Sequence, residues 1–173
     1  MTAATLAVTV RPAKTSDIPK IAAAMEPFVA ARILLGKDLV ALYETTHEFL
    51  VAETADGTLQ GFGALHVMWE HLAEVRTLAV VESARGKGVG HQLLLALEQK
   101  ARELGVRQIV SLTFETEFFG RHGFEPIGEA PELIAADVYA QLLRSHDEGI
   151  AEFLDLARVK PNTLGNTRMM KTL

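Results

Sequence analysis

Along this chain, blocks in which apolar residues alternate or run together give way repeatedly to blocks in which they recur every three or four positions. That changing period predicts strands interleaved with helices. Leu6 to Arg11 reads as the first strand, and Thr15, Ser16 and Asp17 offer caps to a helix over Ile18 to Ile33, which Pro27 should kink or end. A short helix over Asp38 to Glu44 follows Gly36 and Lys37, and Glu48 to Glu53 and Leu59 to Trp69 should form a hairpin around Ala55-Asp56-Gly57. Glu74 to Val80 is apolar at most positions, as a central strand buried on both faces would be. Alternation along it would put Glu74, Arg76, Leu78 and Val80 on one face.

The stripe is clearest from His91 to Leu104, where Leu93, Leu94, Leu97, Ala101 and Leu104 share a side and Gln92, Gln99, Lys100 and Glu103 lie largely opposite. Gly105 is placed to end that helix. Beyond it the pattern predicts a strand over Gln108 to Thr113, a short helix over Glu115 to Arg121, a short strand over Phe124 to Ile127 and a helix over Glu132 to Arg144. Ala151 to Val159 and Asn166 to Leu173 should pair as closing strands around Pro161 to Gly165. No repeat, low-complexity tract or linker interrupts the 173 residues, so one α/β (α+β) domain spanning 1–173 is expected.

Between the strand Glu74 to Val80 and the long helix lies Arg85-Gly86-Lys87-Gly88-Val89-Gly90. Its glycines let the backbone turn sharply and approach a ligand without Cβ clashes. A helix that starts there leaves N–H groups unpaired at the positive end of its dipole, which suits a pyrophosphate. Arg85 and Lys87 add charge at the rim. A dinucleotide fingerprint would need glycine where His91 stands, and no G-x-x-x-x-G-K-[ST] occurs, so what remains is Arg-x-x-Gly-x-Gly.

Composition narrows the chemistry. The chain has no cysteine, which removes disulfides, thiolate metal sites and a cysteine acyl-enzyme. A formal charge of −5 without a long basic run argues against nucleic acid as a partner. No apolar stretch reaches membrane-spanning length and the N-terminus does not read as a signal peptide, so a cytoplasmic protein is expected. The six histidines include no His-x-x-x-His or helical His-carboxylate pair, and no metal is expected.

Arg85-x-x-Gly88-x-Gly90 resembles the coenzyme A loop of the GCN5-related N-acetyltransferase (GNAT) family, as do the strand Glu74 to Val80 before it, the apolar helix after it and the Gly-Phe element in Arg121-His-Gly-Phe124. The resemblance implies a mixed central sheet of about six to seven strands flanked by helices. It also implies acetyl-CoA as co-substrate, with Arg85, Gly86, Lys87, Gly88, Val89 and Gly90 around its phosphates. Backbone groups of Leu78, Ala79 and Val80 would hold its arm and the developing oxyanion. The second half, Leu112 to Phe119 and Phe153 to Met169, is similar to the short stand-alone amino-acid acetyltransferases that make N-acetylglutamate for arginine biosynthesis. That likeness implies L-glutamate as acceptor, with L-glutamine as an alternative. Family members with a glutamate base carry it eleven positions before the loop arginine, where this chain has Glu74. Glu74 is therefore the expected general base, although Glu74 and Arg76 also fit a plain ion pair. A free amino dicarboxylate needs cationic partners; Lys37 and Arg76 come first, ahead of Lys160 and Arg168. The tyrosine that many relatives use as acid is replaced by Phe119. A peptide acetyltransferase and a non-catalytic acyl-CoA sensor stay open, and a homodimer is plausible.

Overall fold

The computed structural model describes residues 5–128, 134–154 and 165–173. At its centre is a seven-stranded sheet in the order β1-β2-β3-β4-β5-β7-β6. The strands are β1 (Thr9–Pro12), β2 (Phe49–Glu53), β3 (Leu59–Trp69), β4 (Leu72–Val80), β5 (Gln108–Thr113), β6 (Glu125–Pro126) and β7 (Thr167–Thr172). Neighbours run antiparallel except β4 and β5, which are parallel and joined by a helical crossover. This is the mixed sheet with flanking helices that the resemblance implies.

The helices are α1 (Ile18–Ala30), α2 (Leu39–Glu44), α3 (Val89–Glu103), α4 (Thr116–Arg121), α5 (Ala136–Leu142) and α6 (Glu148–Phe153). On one face α1 and α2 bury Ile18, Ile21, Met25 and Leu42 against Phe49, Val51 and Phe62. On the other, α3 lays Leu93, Leu94, Leu97 and Ala101 over Leu50, Leu65, Ala73 and Val75. A third cluster joins Val138 and Leu142 of α5 and Ile150 and Phe153 of α6 to Met68, Leu72 and Val110. Burial of such apolar side chains, worth about 1.5–3 kcal/mol each, fixes which face of each helix meets the sheet.

The structure departs from the periodicity reading at several ends. α3 begins at Val89 rather than His91, and Leu104 lies past its end, 57% exposed. Pro27 sits inside α1, and the helix runs on only to Ala30 before Arg32 takes a left-handed φ of 60°. No side chain caps α1; Thr15–Asp17 forms a 3₁₀ turn. The helix expected over Glu132 to Arg144 is seen as Ala136–Leu142, and residues 132–133 lie outside the described residues. The strand expected over Ala151 to Val159 is contradicted at its start: Glu148–Phe153 is helical because Asp147 caps it, its side chain accepting from the Ile150 amide at 2.9 Å. Residues 155–159 lie outside the described residues, and β7 pairs with β5 and β6 instead.

One irregularity shapes the site. Ala64 faces Arg76 and Phe62 faces Ala79, so Gly63 opposes both Thr77 and Leu78, and Thr77 has a φ of 56°. This bulge reverses the alternation of β4. Leu78 and Val80 consequently pack with α3, on the opposite face from Glu74 and Arg76, and Ala79 packs with α1. The expectation that all four side chains share a face is therefore corrected.

Asp17 ties the N-terminal strand to α1. Arg11 donates to it from Nη1 at 2.7 Å and Nη2 at 3.1 Å, the Lys14 amide donates at 2.8 Å, and Arg11 also bonds Glu53 on β2. The Arg11 hydrogen bonds hold the Asp17 carboxyl below its usual range against the opposing effect of burial. A depressed carboxylate stabilises the fold above its unfolded pKa and loses that contribution as pH falls through the folded one. Asp17→Asn is thus expected to cost about 1–3 kcal/mol near neutrality and to flatten the acid limb of stability below about pH 4. Urea unfolding at several pH values measures it, and an unchanged acid limb would contradict it.

Candidate active site

β4 and β5 pair only from Leu72–Gln108 to Glu74–Val110. From Val75 onward β4 has no strand partner on its β5 side among the described residues, which leaves main-chain donors and acceptors along that edge for a ligand. There a cavity of about 940 Å³ opens, bounded by β4, β5, the glycine loop, α4, the start of α6 and the segment before α2.

At one end stands the loop. Gly86 and Gly88 have φ of 71° and 79°, a region costly for residues with a Cβ, and Gly88 is the N-cap of α3. No side chain caps that helix, and among the described residues the amides of Gly88, Val89 and Gly90 donate to no carbonyl. Free amides, a helix dipole and close backbone access make a fitting cradle for a pyrophosphate. Arg85, Gly86, Gly88, Val89 and Gly90 line the cavity, as do Leu78, Ala79 and Val80. Lys87 does not line it; its carbonyl accepts from the Leu6 amide. At the rim His91 Nδ1 lies 2.8 Å from His122 Nε2, and His122 Nδ1 lies 2.7 Å from the Phe118 carbonyl oxygen.

At the other end Glu74 and Arg76, 5% and 8% exposed, project from β4 on one face. Arg76 donates to Glu74 Oε2 from Nε at 2.9 Å and from Nη2 at 2.6 Å. It also donates to Asp147 from Nη1 at 2.9 Å and from Nη2 at 3.0 Å. Four of its five N–H groups are thereby engaged. Glu74 Oε1 has no hydrogen-bond partner among the described residues. Burial alone would raise the Asp147 carboxyl, but its bonds to Arg76, the guanidinium charge and the Ile150 amide hold it well below the usual range.

Lys37 lines the same cavity and has no hydrogen-bond or ion-pair partner among the described residues. Burial, and then the charge of Arg76, lowers its ammonium from the ordinary lysine value. Behind the pair, His66 Nδ1 lies 2.8 Å from Glu48 Oε1, and the other oxygen of Glu48 is buried without a partner among the described residues. Burial pushes Glu48 up, yet His66, Arg76 and Lys37 together bring it below its usual value.

The structure thus brings Glu74, Arg76 and Lys37 to one wall of one cavity, with the loop at its far end. Asp147 was not foreseen; the signal available was the spacing of Asp147 to an amide three residues on, ahead of Ile150, Phe153 and Leu154. Arg168 serves the fold instead, donating to the carbonyls of Phe153 and Glu152. Lys160 lies outside the described residues. Phe119, 4% exposed, packs edge-on to Phe124 in the core. Among the described residues no three His, Asp or Glu are grouped to hold a metal, and no helix is long and apolar enough to cross a membrane.

A splayed parallel strand pair with a glycine loop at a helix start is the cofactor cleft of an acyl-CoA transferase. The chain belongs to the acetyltransferase (GNAT) family, whose sequence profile matches residues 22–124. It is 50% identical over 166 residues to an amino-acid acetyltransferase of Mycobacterium tuberculosis, covering 95% of this chain and 94% of that one. The crystal structure of Rv2747 from that organism, in complex with CoA and a second ligand, superposes with a TM-score of 0.90 at 50% identity, over 95% of this chain and 99% of that one. N-acetylglutamate synthase from Neisseria gonorrhoeae, complexed with coenzyme A and N-acetyl-glutamate, matches with a TM-score of 0.76 at 26% identity, over 99% of this chain and 36% of that one. This chain therefore spans about a third of that synthase.

Proposed function

We propose that this protein is a cytoplasmic N-acetylglutamate synthase, transferring the acetyl group of acetyl-CoA to the α-amino group of L-glutamate as the first step of arginine biosynthesis. The observation that carries the reading is the juxtaposition, on one wall of the cleft, of a buried carboxylate, Glu74, and an ammonium, Lys37, with Oε1 of the first and Nζ of the second unpartnered among the described residues. The 50%-identical relative is an amino-acid acetyltransferase over nearly its whole length, which supports a free amino acid as acceptor.

Acetyl-CoA supplies an acyl carbon already activated as a thioester. The chain's own part is to bind the phosphates at Gly86 to Gly90, to seat the arm along the open edge of β4, and to manage one proton. Glu74 Oε1 takes that proton from the acceptor amine as its nitrogen attacks the acyl carbon. Main-chain N–H groups at the β4 edge are the donors for the oxyanion that forms. The C–S bond then breaks. With Phe119 buried where a tyrosine would stand, the CoA thiolate leaves without a dedicated acid and takes its proton from solvent; reference thiol pKa values of about 8.5 make it a competent leaving group.

Lys37 is the partner for a substrate carboxylate, and Arg76 has a single N–H left to add. Lys37→Met is expected to raise KM for glutamate about tenfold or more while KM for acetyl-CoA stays unchanged, since a charge-assisted bond is worth about 1.5–3 kcal/mol. Because burial and the charge of Arg76 lower its pKa, the ammonium is lost on the alkaline side sooner than an exposed lysine's, so KM for glutamate should rise with alkaline pH. Steady-state kinetics with each substrate varied test this; an unaltered KM for glutamate in Lys37→Met would remove Lys37 from the acceptor site.

A further inference from the structure

We infer that Asp147 is a positioning residue for the transfer, acting through Arg76 to orient the carboxylate of Glu74, and that Gly149 supplies the close approach this requires. The inference rests on the reading of Glu74 as the base.

Arg76 and Asp147 are 71 positions apart in sequence, yet they meet through two near-parallel N–H···O bonds of 2.9 and 3.0 Å, the fork geometry that fixes both groups in a plane. The other edge of the same guanidinium takes Glu74 by Oε2 alone. A long arginine side chain has many rotamers, and a single carboxylate two residues away on its own strand would not choose among them. Asp147 does, because its own position is set twice over. Its Oδ1 caps α6 by accepting from the Ile150 amide, and its amide donates to Ser145 Oγ at 3.1 Å.

The first turn of α6 then closes over the pair. A Cβ on Gly149 would stand 2.7 Å from Arg76 Nη2 and 3.0 Å from Glu74 Oε2, so only glycine lets the helix backbone come this near. Glu74 lines the cavity with its Oε1 unpartnered among the described residues.

Asp147 takes two of the four bonds Arg76 makes, so the guanidinium is shared between two carboxylates. Other charged or titratable groups around the set include Lys37 from the segment before α2, His66 from β3, whose Nε2 is 4.0 Å from Asp147 Oδ2, Glu48 behind it, and His146, Glu148 and Glu152, which line the same cavity.

Asp147→Asn keeps the shape and, through Oδ1, the helix cap, since asparagine caps about as well as aspartate; it removes the charge toward Arg76 and the acceptor for Arg76 Nη1, because an amide NH2 cannot accept. It is expected to lower kcat about tenfold or more, with KM for acetyl-CoA and the calorimetric Kd for CoA changed by less than about twofold. Added to Glu74→Gln, it should cost less than about twofold further, because a residue that works through Glu74 has nothing left to act on. Gly149→Ala, which keeps every charge, should show the same split between kcat and KM. Wild-type kcat in Asp147→Asn, or a full multiplicative loss on top of Glu74→Gln, overturns the positioning role. Wild-type kcat in Glu74→Gln itself overturns the assignment of the base, and is told apart by that single variant.

Discussion

Replacing Glu74 by glutamine is expected to lower kcat by about two to four orders of magnitude, the range a general base contributes, while acetyl-CoA binds as before. The separation follows from the geometry. Glu74 lies where the ladder between β4 and β5 ends, and the glycine loop lies beyond Val80 at the far end of the strand. Glutamine preserves the volume and an oxygen for Arg76, so the buried guanidinium is not left unpaired on that edge and the fold should hold. What disappears is an acceptor for the amine proton at Oε1. Titrating CoA by calorimetry and measuring single turnovers on the same sample distinguishes the two effects. A variant that binds CoA normally and turns over normally would show that Glu74 and Arg76 are no more than a buried ion pair.

A bulky residue at Gly88 should have the opposite signature. Gly88→Val is expected to weaken CoA binding by about tenfold to a hundredfold, with a fall in kcat/KM to match. Its φ of 79° is left-handed, where an L side chain costs about 1–2 kcal/mol and a β-branched one more. A Cβ there would also stand 3.3 Å from Thr5 Cγ2 and crowd the start of α3, where the free amides converge. Gly86→Ala is a useful companion: φ is 71° but nothing lies within 4 Å of its Cβ, so strain acts there without a clash. Normal CoA affinity in Gly88→Val would refute the cradle.

What could be read from the residues, and what could not, follows the range of the interactions. Strand, glycine loop and amphipathic helix are contiguous, and their chemistry depends on backbone freedom and helix termini alone; Glu74 to Gly105 was legible for that reason. The bulge at Thr77 was not, because no glycine marks the positive φ and only the pairing of β3 with β4 reveals it. The consequence was a wrong facing for Leu78 and Val80. The segment around Ile150 was ambiguous in period: Ile150, Phe153 and Leu154 suit a helix as well as a short apolar strand, and the capping role of Asp147 decides between them. Arg76 was placed correctly on the strand, but its engagement by Asp147 depends on a contact between distant segments that no local pattern announces.

The Glu48, His66 and Asp147 groups illustrate the same limit. Individually they are ordinary polar residues; together with Glu74, Arg76 and Lys37 they place three carboxylates against two basic side chains beside the cleft, with an imidazole between Glu48 and Asp147. Under the roles proposed for Glu74 and Lys37, an acceptor that brings an amine to this wall would meet a base and one that brings a carboxylate would meet Lys37, a combination that would favour an amino acid over a simple amine.

The most direct measurement is of acceptor identity: purified protein, acetyl-CoA and a panel of free amino acids with one short peptide, followed by CoA release and by mass spectrometry of the products. The account predicts turnover selective for glutamate, with glutamine the nearest competitor and the acetyl group on the α-nitrogen. Acetylation of the peptide in preference to every free amino acid, or CoA binding without turnover on any acceptor, would contradict it.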